Sequence, residues 1–435
     1  MEIWIISLVL VAALAALLVA GVWIALTLLG TGWVAMVLFT HSPAGSLMAT
    51  TVWGSSTSWA LTALPLFIWM GEILFRTRIS EDMFRGLAPW MAPLPGRLMH
   101  CNVVGCGIFA AISGSSAATA ATIGRITIPE LLKRGYDEPM AVGSLAGAGT
   151  LGLLIPPSII MIVYGVAADV SIARLFVAGV LPGIMLMLMF SGYILAWALL
   201  NPKRTPPRES TTSLGEKVHA ARYLIPAVLL IGAVIGSIYT GVATPTEAAV
   251  IGVAGSLALA AVSGSLNRRT FGASVMGATR TSCMIAFILT GAAFLTVAMG
   301  FTGVPLTMAE WIGRQGFSAW QLIAVLTVLY IILGCFIDGI SMVVLTSSVI
   351  LPSVKAAGID LLWFGIFVVL VVEMAQITPP VGFNLFVLQG LTGRNMFYVA
   401  RASLPFFILM VLAVVLVWEF PAIVTYLPGK MFRLG

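Results

Sequence analysis

The stretch that decides the fold is Gly149–Gly165, GTLGLLIPPSIIMIVYG, an apolar run with two consecutive prolines near its centre. Proline has no N–H to donate and disfavours helical geometry in the residue before it, so a helix must open at Pro156–Pro157. A second pair of consecutive prolines occurs in Met374–Asn384, MAQITPPVGFN. These openings are predicted to expose backbone carbonyls, among them those of Gly152, Ile155, Ala375 and Thr378.

The two interruptions belong to a longer repeat with a constant offset of 223 positions. Its first copy contains Pro129, Gly135, Asp137, Pro156, Pro157 and Pro182, which recur as Pro352, Gly358, Asp360, Pro379, Pro380 and Pro405. Chance does not keep six positions in register over a stretch of this length. Helices broken at matching places in two halves indicate the midplane binding site of a membrane transporter.

Composition identifies the solvent in which the chain folds. Of its 435 residues, 60% are hydrophobic and 9% are charged, and the mean hydropathy is +1.09. This leaves too little polar surface for a soluble globule of this size. We therefore predict an all-α polytopic membrane protein with roughly ten or more helical elements, since a span needs about 20 apolar residues. Met1–Leu29 lacks a basic start and is expected to remain as a membrane helix.

Basic residues orient the predicted spans. The polar linker 201–222 is rich in Lys and Arg, and the positive-inside rule places it in the cytoplasm. The apolar segment 98–132 is basic at both ends with a Gly/Ser centre, which is typical of a re-entrant helical hairpin. A second hairpin is predicted at 320–355, with its tip at Asp338–Ser341. An odd number of crossings separates the two, so the sequence predicts an inverted repeat.

Freed carbonyls and hydroxyls at membrane depth are oxygen ligands suited to a small cation, and the ends of half-helices add a favourable dipole. The first candidate cage comprises Ser113, Ser115, Gly152, Ile155 and Pro157, and the second comprises Asp338, Gly339, Ser341, Gln376, Thr378 and Pro380. N–H groups at the tips favour a carboxylate, and the candidate substrate contacts are Gly114, Ser116, Thr119 and Asn384. The alternative is that Gly and Ser only permit close helix packing and Pro only kinks. The symmetry of the two pairs favours sites.

Acids in apolar runs are functional candidates by default. They are Glu72, Asp169, Asp338, Glu373 and Glu419. Glu373 precedes the second interruption, where it either orients the broken helix or makes a structural interhelical hydrogen bond. Asp338 alone lies at a predicted tip.

An intramembrane enzyme is a rival class, and the sequence speaks against it. The zinc form needs HExxH, which is absent, and the histidines are scattered at His41, His100 and His219. The serine form needs a base beside Ser115, and no His falls near it. The aspartyl form needs two facing acids. The four cysteines lack metal-type spacing and are expected to be small packing residues.

Six strings occur in order over nearly the whole chain: GSSAATAATIG, IPELLKRGYD, GTLGLLIPPSIIMIVYG, TPTEAA, FIDGISM and QITPPVGFNLFV. Together they resemble the large membrane subunit of tripartite ATP-independent periplasmic (TRAP) transporters. The resemblance implies a sodium-driven importer of an elevator-type superfamily that takes an organic acid from a periplasmic binding protein. It also implies two or more sodium ions. One would be held by Ser113, Ser115, Gly152, Ile155 and Pro157, the other by the Asp338–Ser341 tip with Thr378 and Pro380.

The resemblance implies a domain organisation as well. Residues 1–95 would be N-terminal scaffold helices, 96–185 the first transport repeat, 186–319 further scaffold helices, 320–395 the second transport repeat and 396–435 a C-terminal helix. The implied partners are a separate small membrane subunit and a substrate-binding protein, at the bacterial inner membrane. The substrate would be a dicarboxylate, sugar acid, keto acid or sialic acid. A stand-alone sodium/carboxylate symporter of the same superfamily is the alternative.

Overall fold

The computed structural model describes residues 3–207, 213–314, 318–379 and 382–431, and within these ranges the chain is α-helical without a β-strand. The predicted all-α polytopic fold is thereby confirmed. In chain order the helices are α1 (Ile3–Val19), α2 (Ile24–Phe39), α3 (Ala44–Ser56), α4 (Ala63–Phe75), α5 (Ile79–Met91), α6 (His100–Ser113), α7 (Ser116–Lys133), α8 (Glu138–Gly149), α9 (Leu151–Leu154), α10 (Ile159–Ala168), α11 (Ile172–Leu200), α12 (Leu214–Ala221), α13 (Ile225–Tyr239), α14 (Pro245–Val262), α15 (Arg268–Thr302), α16 (Val304–Arg314), α17 (Ala319–Gly334), α18 (Gly339–Ala356), α19 (Leu361–Gln376), α20 (Phe383–Thr392), α21 (Met396–Glu419) and α22 (Ala422–Lys430).

Helix length and composition mark the chain as multi-pass. Within the described ranges, five helices are long and apolar enough to cross a membrane: α11, α14, α15, α18 and α21. Three bent pairs raise this number to as many as eight if each pair is one span. One of them is the first Pro-Pro segment, Glu138–Leu154 with Ile159–Ala168, bent by 43°.

Two sequence expectations are wrong in detail. Met1–Leu29 is not one helix, because the chain turns between α1 and α2, where Gly21 adopts a φ of +74° that favours glycine. The cysteines are not all packing residues. Cys101 and Cys106 are buried and Cys335 is half-buried, but Cys283 is exposed.

A pair of helices lies at each predicted hairpin. The first pair, α6 and α7, meets at Gly114 and Ser115, while α17 and α18 are separated by the segment 335–338. Both interruptions also fall where the prolines predict them, since α9 ends before Pro156–Pro157 and α19 ends before Pro379. Pro380 itself lies outside the described residues.

The repeated glycine and aspartate form a helix stop followed by a helix start. Gly135 and Gly358 adopt left-handed φ values of +77° and +71° just after α7 and α18. Two residues on, Asp137 caps α8 by accepting from the Met140 N–H at 3.1 Å. Asp360 caps α19 in the same way, accepting from the Trp363 N–H at 3.3 Å, and it also accepts from the Leu362 N–H at 2.6 Å. The repeat therefore encodes the same tight turn between each hairpin and its broken helix.

Helices α8 and α21 approach so closely that only glycine fits between them. A Cβ built on Gly143 would lie 2.1 Å from the Ala402 carbonyl oxygen, and one on Gly147 would lie 2.6 Å from the Phe406 Cβ. Outside this contact, Glu138 and Arg394 form a bidentate ion pair at 2.6 and 2.7 Å. The start of α8, in the first broken helix, is thus held to Arg394, which follows the end of the second broken helix.

Replacing Gly143 by alanine is expected to push α8 away from α21 and to lower the free energy of unfolding by about 1–3 kcal/mol, the usual range for overpacking. Gly192→Ala in α11 is the matched control, because a Cβ at Gly192 meets nothing within 4 Å. The measurement is thermal unfolding of both purified variants in detergent. Equal melting temperatures would show that the two helices can separate without cost.

Candidate cation and substrate site

The tip of the first hairpin touches the first interruption through backbone atoms. Gly114 ends α6 with a φ of +60°, and a Cβ there would lie 2.9 Å from the Pro157 carbonyl oxygen. A Cβ on Gly152 would lie 2.6 Å from the carbonyl oxygen of Ser115. The Ile159 N–H donates to the Gly114 carbonyl at 3.4 Å. Glycine at both positions is what allows the tip and the broken helix to meet.

The structure therefore brings most members of the first candidate cage together. The Ser113 hydroxyl lies 3.3 Å from the Ser115 carbonyl and 2.7 Å from the Thr119 hydroxyl. Ser115 also caps α7, its side chain accepting from the Ala118 N–H at 3.5 Å. Ile155 lies in the interruption, and its side chain faces Gly183 on α11. All the polar atoms that these residues offer are neutral carbonyl and hydroxyl oxygens or amide N–H groups.

At the second tip, an ionisable group takes a structural role. Asp338 caps α18, because its carboxylate accepts from the N–H groups of Ile340 and Ser341 at 3.0 and 3.1 Å and from the Ser341 hydroxyl. A cavity of about 60 Å³ lies beside it. Asp338, Gly339 and Gln376 line this cavity, which is large enough for an ion with a water molecule.

The second interruption turns back on itself at Gly382. A Cβ on Gly382 would lie 2.7 Å from the Gln376 carbonyl oxygen and 2.8 Å from that of Thr378. The Thr378 hydroxyl donates to the Met374 carbonyl at 2.8 Å, and the Thr378 carbonyl accepts from the Gly382 N–H at 3.0 Å. Gln376 and Thr378 are thus close in space, while Pro380 lies outside the described residues.

The candidate positions offer oxygen atoms, mostly from neutral groups. Within the described ranges, no group of three or more His, Cys, Asp or Glu side chains could hold a metal ion. The oxygen atoms that gather at the tips come from the backbone and from hydroxyls, with one carboxylate at the second tip. Oxygen atoms of this kind are hard ligands suited to a small cation.

All four predicted substrate residues are buried. The Ser116 hydroxyl donates to Glu373 at 2.6 Å, and the Thr119 hydroxyl bonds with Ser113. Asn384 differs from them, because both of its side-chain amide atoms are buried without a partner in the described part of the chain. Its Nδ2 lies 3.7 Å from a Cβ built on Gly149. An unpaired buried amide is costly, so Asn384 is the member best placed to receive a polar ligand.

Glu373 connects the two halves at this place, and the sequence left its role open. The residue is fully buried, and its Oε1 accepts from the Ser116 hydroxyl at 2.6 Å and from the Leu153 N–H at 2.9 Å. Ser116 opens α7 beside the first tip, whereas Leu153 lies in the last turn before the first interruption. The interhelical hydrogen bond is therefore present, and it joins α19 to both parts of the first candidate cage. We call this set the Glu373 brace.

Replacing Glu373 by alanine is expected to destabilise the protein by about 3 kcal/mol, because the buried Ser116 hydroxyl and the Leu153 N–H both lose this acceptor and a cavity remains. Glu373→Gln should cost less, since the amide oxygen can still accept from Ser116 and Leu153. The control is Glu419→Ala, at the exposed end of α21. Thermal unfolding of the three variants in detergent measures the difference.

A double-mutant cycle with Ser116→Ala isolates the hydrogen bond. A coupling free energy of about 1 kcal/mol or more is expected between the two positions. Strictly additive effects of Glu373→Ala and Ser116→Ala would show that the brace carries no energy.

A helical, multi-pass membrane protein with paired hairpins and Pro-broken helices has the architecture of a secondary transporter. Comparison with known proteins identifies the transporter family. Residues 11–423 match the family described as the tripartite ATP-independent periplasmic transporter, DctM component. The chain belongs to this family and is a TRAP transporter large permease subunit, as the sequence motifs predicted. Members of this family are transporter permeases rather than enzymes.

Individual relatives agree with this assignment. The chain is 32% identical to the C4-dicarboxylate TRAP transporter large permease protein DctM of Pseudomonas aeruginosa, over 92% of this chain and 93% of that protein. It is 29% identical to the sialic acid TRAP transporter permease protein SiaT of Haemophilus influenzae, over 87% of this chain and 61% of that protein. It is 32% identical to the isethionate TRAP transporter permease protein DctMQ of Oleidesulfovibrio alaskensis, over 95% of this chain and 65% of that protein.

The fold also matches a solved transporter. The crystal structure of the Alcanivorax borkumensis YdaH transporter superposes with a TM-score of 0.66 and covers 95% of this chain and 98% of its own, at 13% sequence identity. This likeness concerns the fold alone. The overall fold is therefore shared at low sequence identity.

Proposed function

We propose that this permease uses a sodium gradient to import an organic acid that a periplasmic substrate-binding protein delivers to it, at the bacterial inner membrane. The observation that carries the proposal is the backbone contact between Ser115 and Gly152. It gathers neutral oxygen atoms at a helix interruption, where lipid cannot satisfy them. In this proposal a bound cation is a further partner of these oxygen atoms.

The substrate class follows from shared chemistry. The relatives are named for C4-dicarboxylates, isethionate, ectoine and sialic acid, and each of these compounds carries an anionic acid group. The N-terminus of α7 at Ser116 and that of α20 near Asn384 present N–H groups that favour such an anion. Asn384, with its unpaired amide, is the proposed polar contact.

An elevator motion is the proposed mechanism. In it, the repeats 96–185 and 320–395 would move as one body against scaffold helices in 1–95 and 186–319. The Glu373 brace supports this division, because it ties the second broken helix to the first hairpin and the first broken helix. Residues 396–435 and a separate small membrane subunit would complete the complex.

Reconstitution tests the proposal and separates it from its alternative. Organic-acid uptake is measured in proteoliposomes holding this chain and the small subunit, with or without the binding protein and under an inward sodium gradient. We expect uptake only when sodium and binding protein are both present. Uptake with sodium alone would assign the chain to the stand-alone sodium/carboxylate symporters. Uptake indifferent to sodium would refute the coupling.

Ser115→Ala and Thr378→Ala are each expected to raise the sodium concentration for half-maximal uptake several-fold while the protein remains folded. Each change removes at most one oxygen ligand, worth about 1 kcal/mol. Ser237→Ala is the control, because among the described residues its hydroxyl bonds only to the Val234 carbonyl of its own helix. An unchanged sodium dependence in the first two variants would mean that these hydroxyls only pack.

The inverted topology gives a further prediction. Lys133 and Lys355 lie near the ends of α7 and α18, at equivalent bases of the two hairpins, and both are exposed. Cysteines placed there, in a background with Cys283 and Cys335 replaced by serine, should react with an impermeant maleimide from opposite sides of the membrane. Labelling of both from one side would contradict the inverted repeat.

A further inference from the structure

A cavity of about 420 Å³ lies away from the candidate transport site, between α8, α11 and α21. It is close to the basic turn Pro202–Arg204 that follows α11. Its lining combines arginine, aromatic and apolar side chains: Asp137, Pro139, Met140, Tyr193, Trp197, Arg204, Tyr398, Arg401, Ala402, Pro405 and Phe406. We call it the α11–α21 cavity.

Hydrogen-bond donors dominate the polar groups of this cavity. The hydroxyls of Tyr193 and Tyr398 and the indole N–H of Trp197 form no hydrogen bond with any described residue. Arg401 is exposed and likewise has no ion-pair partner in the described ranges. Donors without acceptors are complementary to an anion that offers several oxygen atoms.

The acids near the cavity are already engaged. Asp137 caps α8 through the Met140 N–H and lies 3.8 Å from an Arg204 guanidinium nitrogen. Glu138 is held by Arg394, whose guanidinium lies 5.5 Å from the centre of the Tyr398 ring. These two pairs balance their own charges, so the positive charge of Arg401 remains unbalanced at the cavity.

The surface beside the cavity has the character of a lipid contact. Arg401, Leu404 and Ile408 are spaced three and four residues apart and therefore share one face of α21. Leu404 and Ile408 are 52% and 58% exposed, as expected for side chains that face hydrocarbon. Tyr193, Trp197 and Tyr398 supply the aromatic groups that concentrate at the level of lipid headgroups.

We propose that the α11–α21 cavity binds the headgroup of an anionic phospholipid. The phosphate lies at Arg401 and the neighbouring donors, and the acyl chains follow Leu404 and Ile408 along α21. Basic pockets between membrane helices recognise lipid headgroups in this manner. The lipid would hold α11 and α21 together with the start of α8, independently of the transported substrate.

The test uses the purified chain in neutral detergent, titrated with phosphatidylglycerol or, as the uncharged match, phosphatidylcholine. Phosphatidylglycerol should raise the melting temperature saturably and phosphatidylcholine should not. Arg401→Gln should weaken the apparent affinity about fivefold, the value of one arginine at a membrane surface. Arg401→Lys keeps the charge and should restore most of it. Arg222→Gln, an exposed arginine outside the cavity, is the control and should behave as wild type.

Three results would overturn the proposal. The first is an unchanged phosphatidylglycerol affinity in Arg401→Gln, and the second is equal stabilisation by both lipids. The third is full stabilisation by glycerol 1-phosphate without acyl chains, which would make the ligand a soluble anion. Melting of each variant in lipid-free detergent provides the baseline, so a folding defect is distinguished from lost binding.

Discussion

The structure depends on one constraint, which is that backbone N–H and C=O groups at membrane depth must have partners inside the protein or bind a ligand. Helices open at Pro156–Pro157 and just before Pro379, and each opening is met by the tip of a helical hairpin. At the first opening the Gly114 carbonyl accepts from the Ile159 N–H, and Gly152 lets the backbone of Ser115 approach closely. The Glu373 carboxylate accepts a hydrogen bond from the Leu153 N–H, which lies just before the interruption. The first candidate site therefore lies where an interrupted helix finds hydrogen-bond partners for its backbone.

Although the two halves share a sequence repeat, different chemical groups lie at their two hairpin tips. The first tip and interruption meet through neutral oxygen atoms, with hydroxyls from Ser113 and Thr119 close by. At the second tip a carboxylate, Asp338, caps α18 and binds the Ser341 hydroxyl beside a small cavity. The Glu373 brace runs from the second half to the first. The two candidate sites are therefore chemically different, and a hydrogen bond from α19 connects the second half to the first.

Much of the fold could be predicted from the sequence, because proline, glycine and aspartate act locally. Pro156 and Pro379 locate the interruptions, and Gly135 with Asp137 locates a turn, through backbone rules that need no tertiary contact. The bond of Glu373 to Ser116, 257 positions away, depends on how the halves pack, and no spacing encodes it. The unpaired amide of Asn384 also emerges only in three dimensions. The Asp338 cap, in contrast, bonds to residues two and three positions on and follows a local rule. The break at Gly21 was missed because hydropathy does not register a single turn.

The central claim is that the opened helices bind sodium, and the most direct measurement is sodium binding to the purified permease. Thermal unfolding is followed while sodium chloride replaces choline chloride at constant ionic strength. The account predicts a saturable rise in melting temperature with sodium, since a ligand that binds only the native state stabilises it. Potassium should have much less effect. An identical melting temperature in sodium and choline at every concentration would contradict the account and leave the interruptions with a purely structural role.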